Sequence, residues 1–207
     1  MQLSQLLWNE NFNIAQESLD TKFVQGIKSG NLPKKNFQAY LAQDYFFLES
    51  FAKAYGLAIS KSENKHTIKI LSQLLMGVSE ELVLHESYSK QWGIDLSIIT
   101  INNSTREYTD FLAKVSKEMT SIEIISSMTP CMRLYAWIGK NLFDSASNNP
   151  YKEWILTYSD QSFDDLALAL ENLMNNYKKP YNYEKLNSLY QKAMELEANF
   201  FKSYSNF

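Results

Sequence analysis

The chain has 207 residues, 45% of them apolar, yet only six Gly and four Pro, where average usage would put roughly 25; so few turn formers exclude a sandwich, a barrel or a linker-rich array, and the apolar content excludes disorder. Lys and Arg number 20 against 23 Asp and Glu, a net charge of −3 without a basic stripe, so no nucleic acid partner is expected. With one Cys, no signal peptide at Met1–Asp20 and no window of about 18 uncharged apolar residues, the expectation is a reduced, cytoplasmic chain that does not enter a membrane.

The punctuation separates long periodic segments. Leu3–Leu19 reads as a first helix with Leu3, Leu6, Leu7 and Ile14 on one face. Gly26 and Gly30 break the chain before Pro33, which suits a helix start. Lys34–Ser60 is a long helix whose stripe runs Phe37, Tyr40, Leu41, Asp44, Phe47, Leu48, Phe51, Tyr55, Ala58. Thr67–Gln91 follows, with Leu71, Leu75, Val78, Leu82 and His85 in register, and Gly93 ends it. Ser104 with Glu107 and Thr120 with Glu123 are capping-box signatures that open the fourth and fifth helices. Pro150 starts a sixth, bent at Ser159–Ser162 and continued to Tyr177. Tyr183–Tyr204 is the last. The expected fold is an all-α bundle of seven to eight helices, one domain over residues 1–207.

The informative positions are those where ionisable groups interrupt apolar stripes, because burying a charge without a partner is costly. Asp44 sits midway between Phe37 and Phe51, Glu197 follows Tyr190 by seven, His85 follows Val78 by seven, and Cys131 lies between Met128 and Tyr135. Each has a structural reading. His85 pairs with Glu81 one turn earlier, Cys131 is an inert small hydrophobe, and a lone carboxylate caps a helix or pairs with Arg133. Taken together they describe one interior, with Tyr108, Tyr135 and Tyr158 adding hydroxyls, shaped for a flat nitrogen-bearing ligand. Pro130 lacks the N–H that would bond Ser126, so a kink beside Cys131 is expected.

Several segments resemble TenA/thiaminase II proteins: Phe23-Val24-Gln25-Gly26-Ile27, Gly30-Asn31-Leu32-Pro33, Gln43-Asp44-Tyr45-Phe46-Phe47-Leu48, Glu81 with His85, Tyr108-Thr109, Pro130-Cys131 with Tyr135, Trp154-Ile155 with Thr157-Tyr158, and Glu197 with Phe200-Phe201. They occur in order over nearly the whole chain. The resemblance implies a haem-oxygenase-like bundle, a homotetramer, no cofactor and no metal. It implies hydrolysis of thiamin-related aminopyrimidines, in which hydroxyl replaces the amine or thiazolium on the pyrimidine 5-methylene. It places this chain in the Cys-bearing branch and implies Cys131 as nucleophile and Glu197 as acid. Asp44 would hold the amidine-like ring edge, and Phe47, Tyr108, Tyr135 and Tyr158 would line the substrate site. Phe47 departs from the Tyr that many members carry. Two alternatives come with the architecture: a metal or cofactor oxidase, for which a Glu-x-x-x-His spacing and two His supply ligands poorly, and a non-catalytic pyrimidine-binding protein.

Overall fold

The computed structural model describes residues 1–178 and 180–206, with the side chains of residues 84–88 outside the description. The expected pairing of His85 with Glu81 therefore lies outside the described residues. Among the described residues the regular structure is helical, without a strand. The helices are α1 (Leu3–Glu10), α2 (Phe12–Leu19), α3 (Lys22–Ser29), α4 (Lys34–Ser60), α5 (Lys65–Gln91), α6 (Asn103–Glu118), α7 (Ser121–Leu142), α8 (Lys152–Ser159), α9 (Gln161–Asn175) and α10 (Tyr183–Ser203).

The all-α class agrees with the sequence reading, but among the described residues ten α-helical segments stand where seven or eight helices are expected. Asn11 splits the first expected helix, because its Nδ2 donates to Leu7 O and Asn187 Oδ1 at 2.8 Å each and satisfies groups a continuous helix would bond itself. Gly26 does not break the chain. It is buried inside α3 beside Leu32, and the break comes at Gly30, where φ is +72°. The third difference is a cap. Ser104 does not open α6; the Asn102 side chain accepts from Thr105 N at 2.9 Å and Ser104 Oγ donates to that same oxygen. At α7 the expected pair holds, with Thr120 N and Oγ1 both donating to Glu123 Oε2.

Helix α7 is the centre of the molecule. It is buried on nearly every face and packs against α4, α6, α8, α9 and α10. A helix that is apolar all round is a core helix, so Cys131 and Tyr135 on it necessarily sit inside. The helix runs unbroken through Pro130. Arg133, whose partner was open from sequence, bridges α7 to α9. Its Nε and Nη2 donate to the two Glu171 oxygens at 2.8 and 2.7 Å, and Nη1 reaches Asp164 Oδ1 at 2.7 Å. Lys140 closes the network on Asp164 Oδ2 at 2.7 Å. Gly139 sets the other critical approach. A Cβ there would stand 2.3 Å from the Tyr158 carbonyl carbon, so only glycine lets α8 lie this close to α7.

Candidate active site

Four helices and the start of α9 enclose a cavity of about 200 Å³. That is below the roughly 300–1,000 Å³ of drug-sized pockets, a volume suited to one small ring with a substituent. α4 contributes Asp44, Phe47, Leu48, Phe51 and Tyr55, spaced as one helical face. α5 contributes Leu74, Gly77, Val78 and Glu81 at the same spacing. Cys131, Met132 and Tyr135 come from α7, Thr157 and Tyr158 from α8, Phe163 and Leu166 from α9. The walls are aromatic. Phe47 and Phe51 rings are 5.1 Å apart, Tyr135 meets Tyr158 edge-on at 4.7 Å, and Tyr158 meets Phe163 at 4.9 Å.

The polar groups form two sets. Behind the wall, Tyr108 Oη donates to Glu197 Oε1 at 2.8 Å, and the Glu197 carboxyl also interacts with the Cys131 thiol. Tyr108 thus touches both Glu197 and the Phe47 ring, whose centroid is 4.7 Å from its own. The second set reaches the wall at Tyr135: Tyr40 Oη receives Trp154 Nε1 and donates to Tyr135 Oη, each at 3.2 Å, which fixes the Tyr135 hydroxyl. Asp44 lines the same cavity, which puts its carboxyl within reach of a ligand.

Burial governs the electrostatics. Glu197 is 1% exposed and is raised to about 7, mainly by burial and further by the charge of Asp44, against the hydrogen bonds of Tyr108 and Cys131. Burial raises Asp44 to about 7 as well. The Cys131 thiol is pushed well above its ordinary value by burial and then by Glu197, Asp44 and Glu81. Burial likewise drives the Tyr108, Tyr135 and Tyr158 hydroxyls well upward. At neutral pH the thiol is therefore protonated, while the two carboxyls are poised to hold or release a proton.

Of the residues singled out from sequence, Asp44, Phe47, Cys131, Tyr135 and Tyr158 line the cavity. Glu197 and Tyr108 stand one layer back, reaching it through Cys131 and Phe47. The sequence reading left Tyr55, Glu81, Thr157 and Phe163 out of the site. Tyr55 was legible, since it continues the Asp44 stripe, and Glu81 was legible as the next step after Val78. Thr157 and Phe163 needed the packing of α8 and α9 against α7. Among the described residues no group of three or more His, Cys, Asp or Glu side chains converges as a metal-ligand set.

The family model of the TENA/THI-4/PQQC family matches residues 9–206. The chain is 30% identical to an aminopyrimidine aminohydrolase of Halalkalibacterium halodurans, over 95% of this chain and 89% of that one. It is 34% identical to the mitochondrial bifunctional TH2 protein of Arabidopsis thaliana over 89% of its own length, and spans about a third of that longer protein, 34%. A TenA family transcription regulator from Silicibacter sp. TM1040 superposes with a TM-score of 0.93 at 25% identity, covering 100% of this chain and 97% of that one. Haem oxygenase-1 from the cyanobacterium Synechocystis sp. PCC6803 shares the fold, with a TM-score of 0.66 at 14% identity over 98% of this chain and 92% of its own.

Proposed function

The chain belongs to the TENA/THI-4/PQQC family, and from that premise we propose that it hydrolyses thiamin-related aminopyrimidines in salvage, with Cys131 as the nucleophile. The observation that carries the reading is the chain Tyr108–Glu197–Cys131 set against an aromatic cavity that also holds Asp44.

The chemistry follows from that arrangement. An amine on the methylene of an aromatic pyrimidine leaves reluctantly, and adding a sulfur to ring carbon C6 removes the aromaticity that holds it. A nucleophilic thiol must lose its proton, yet burial holds the Cys131 proton on. Glu197 resolves the conflict. Raised to about 7, it accepts the thiol proton in its ionised form and passes it to the ring nitrogen beside C6 as the C6–S bond forms. The adduct expels the amine, which leaves with its bonding pair and takes a proton, and the methylene becomes an exocyclic double bond. Water adds to that carbon. The C6–S bond then breaks, aromaticity returns, and the proton travels back through Glu197 to sulfur. Tyr108 holds the Glu197 carboxyl in place. Asp44 accepts hydrogen bonds from the exocyclic amine and neighbouring protonated nitrogen of the ring, and Phe47, Tyr135 and Tyr158 pack on its faces and edges.

No cofactor enters this scheme. The proposal extends to a homotetramer, supported by the apolar side chains Met76 and Val83, which stand 63% and 71% exposed seven residues apart on α5. Light scattering on the purified protein tests the assembly. A turnover assay run side by side on 4-amino-5-aminomethyl-2-methylpyrimidine and on thiamin tests the activity, with hydroxymethylpyrimidine the expected product from both. Binding of either compound without turnover would favour the non-catalytic alternative.

A further inference from the structure

The scheme above uses Asp44, Cys131 and Glu197 and leaves one end of the same cavity without a role. Asp44 and Tyr55 both line the cavity from one face of α4, eleven residues and about 16 Å apart along the helix axis. Tyr55 is fully buried, and its hydroxyl has no hydrogen-bond partner among the described residues. The ring is held edge-on against Phe51, with centroids 5.2 Å apart. Buried hydroxyls are nearly always satisfied, because an unmade bond is costly. One retained in a cavity wall points to a partner that arrives with the ligand. The ionisable groups that act on Tyr55 are Cys131 and Glu81, whereas Asp44 and Glu197 act on Tyr40. Glu81 lines the same wall from α5. Cys131 lines the cavity with them and is acted on by both Asp44 and Glu81, while Asp44 and Tyr55 mark the two ends of the α4 stretch in the wall.

The proposed reaction assigns the Tyr55 end an occupant. With the amidine-like edge at Asp44 and sulfur at C6, the ring carbon next to C6 carries the methylene. Its departing group lies beside Cys131, away from the Asp44 end. We infer that Tyr55 and Glu81 form the subsite for the departing group, the Tyr55 hydroxyl hydrogen-bonding an amine nitrogen and the Glu81 carboxyl favouring a positively charged group. This inference rests on the hydrolase reading. It makes Tyr55 a specificity-determining residue, because a protonated amine offers N–H donors and a thiazolium ring nitrogen offers none.

Tyr55→Phe keeps the ring and removes an oxygen that makes no hydrogen bond among the described residues, so its melting temperature stays at or above that of the unaltered protein. Its kcat/KM on the aminomethylpyrimidine falls about 10-fold or more, while that on thiamin stays within about twofold. Glu81→Gln lowers kcat/KM on both substrates, since both departing groups are cationic. Equal losses on the two substrates for Tyr55→Phe, or no loss on the amine, would overturn the subsite while leaving the hydrolase reading intact. An unaltered protein that turns over neither substrate defeats the hydrolase reading, and the subsite with it.

Discussion

Replacing Glu197 by Gln separates the electrostatic account of the site from its packing. The carboxyl rises from 4.5 to about 7 on folding, chiefly through burial. An acid whose folded value exceeds its unfolded value binds more protons when folded. Its stabilising contribution is full below about pH 4.5 and is lost as pH climbs through about 7. The difference of roughly 2.5 pH units corresponds to about 3 kcal/mol in all, of which about 2.5 kcal/mol falls between about pH 5 and pH 8. Glu197→Gln is close in shape, keeps an oxygen to accept from Tyr108 Oη, and has no proton to lose. Urea unfolding at intervals across that pH range should show the unaltered protein losing stability relative to the variant, by about 2–3 kcal/mol at the alkaline end. Asp44, also raised to about 7, adds a slope of its own to both proteins; only the part independent of Glu197 cancels, because the two carboxylates repel and the unaltered protein alone carries that repulsion at alkaline pH. Parallel stability curves for the two proteins would refute the idea that Glu197 is carried into the fold as a near-neutral acid. The same variant should lose turnover more than substrate binding, because its role lies in moving a proton.

Cys131→Ser should retain the fold, with stability within about 1 kcal/mol, yet lose turnover by about 1,000-fold or more; a folded variant that hydrolyses at the unaltered rate would remove the covalent step. Asp44→Asn should raise KM and lower kcat together, since it positions the ring, and steady-state kinetics on the aminopyrimidine reads both. Gly139→Ala should destabilise by about 1–3 kcal/mol, because its Cβ would stand 2.3 Å from the Tyr158 carbonyl carbon, and activity should fall with the displacement of Tyr158; thermal melts paired with kinetics check it. Arg133→Ala leaves Asp164 and Glu171 without their guanidinium partner and should cost about 3 kcal/mol or more in urea unfolding while kcat in the remaining folded protein changes little.

Much of the site was legible because its residues violate their own helices. Asp44 and Glu197 interrupt apolar stripes, and burial of an ionisable group inside a bundle is tolerated only where something requires it. The α4 face was legible through Tyr55, because a 3.6-residue period assigns facing without reference to any other element. The capping box at Thr120 was readable for the same local reason, and the cap at Ser104 was misread because Asn102, two residues earlier, bonds Thr105 N itself. Local pattern also misjudged the chain breaks: one Asn bonded to a distant Asn187 ends α1, and a glycine that looks like a break at position 26 is a packing requirement against Leu32.

By itself the sequence determined the helical class, the order of the long helices, and which side chains turn inward, because each depends on periodicity and propensity within one segment. It also marked Cys131, the single thiol, and the two carboxyls. Only the tertiary structure decided how these meet. It set Glu197 behind Cys131 rather than in the cavity wall, tied Arg133 to α9, and used the missing side chain of Gly139 to bring Tyr158 against Tyr135. It also left the Tyr55 hydroxyl without a hydrogen-bond partner among the described residues. Those outcomes turn on distances between segments far apart in the chain, and no spacing along one helix encodes the depth at which another will pack.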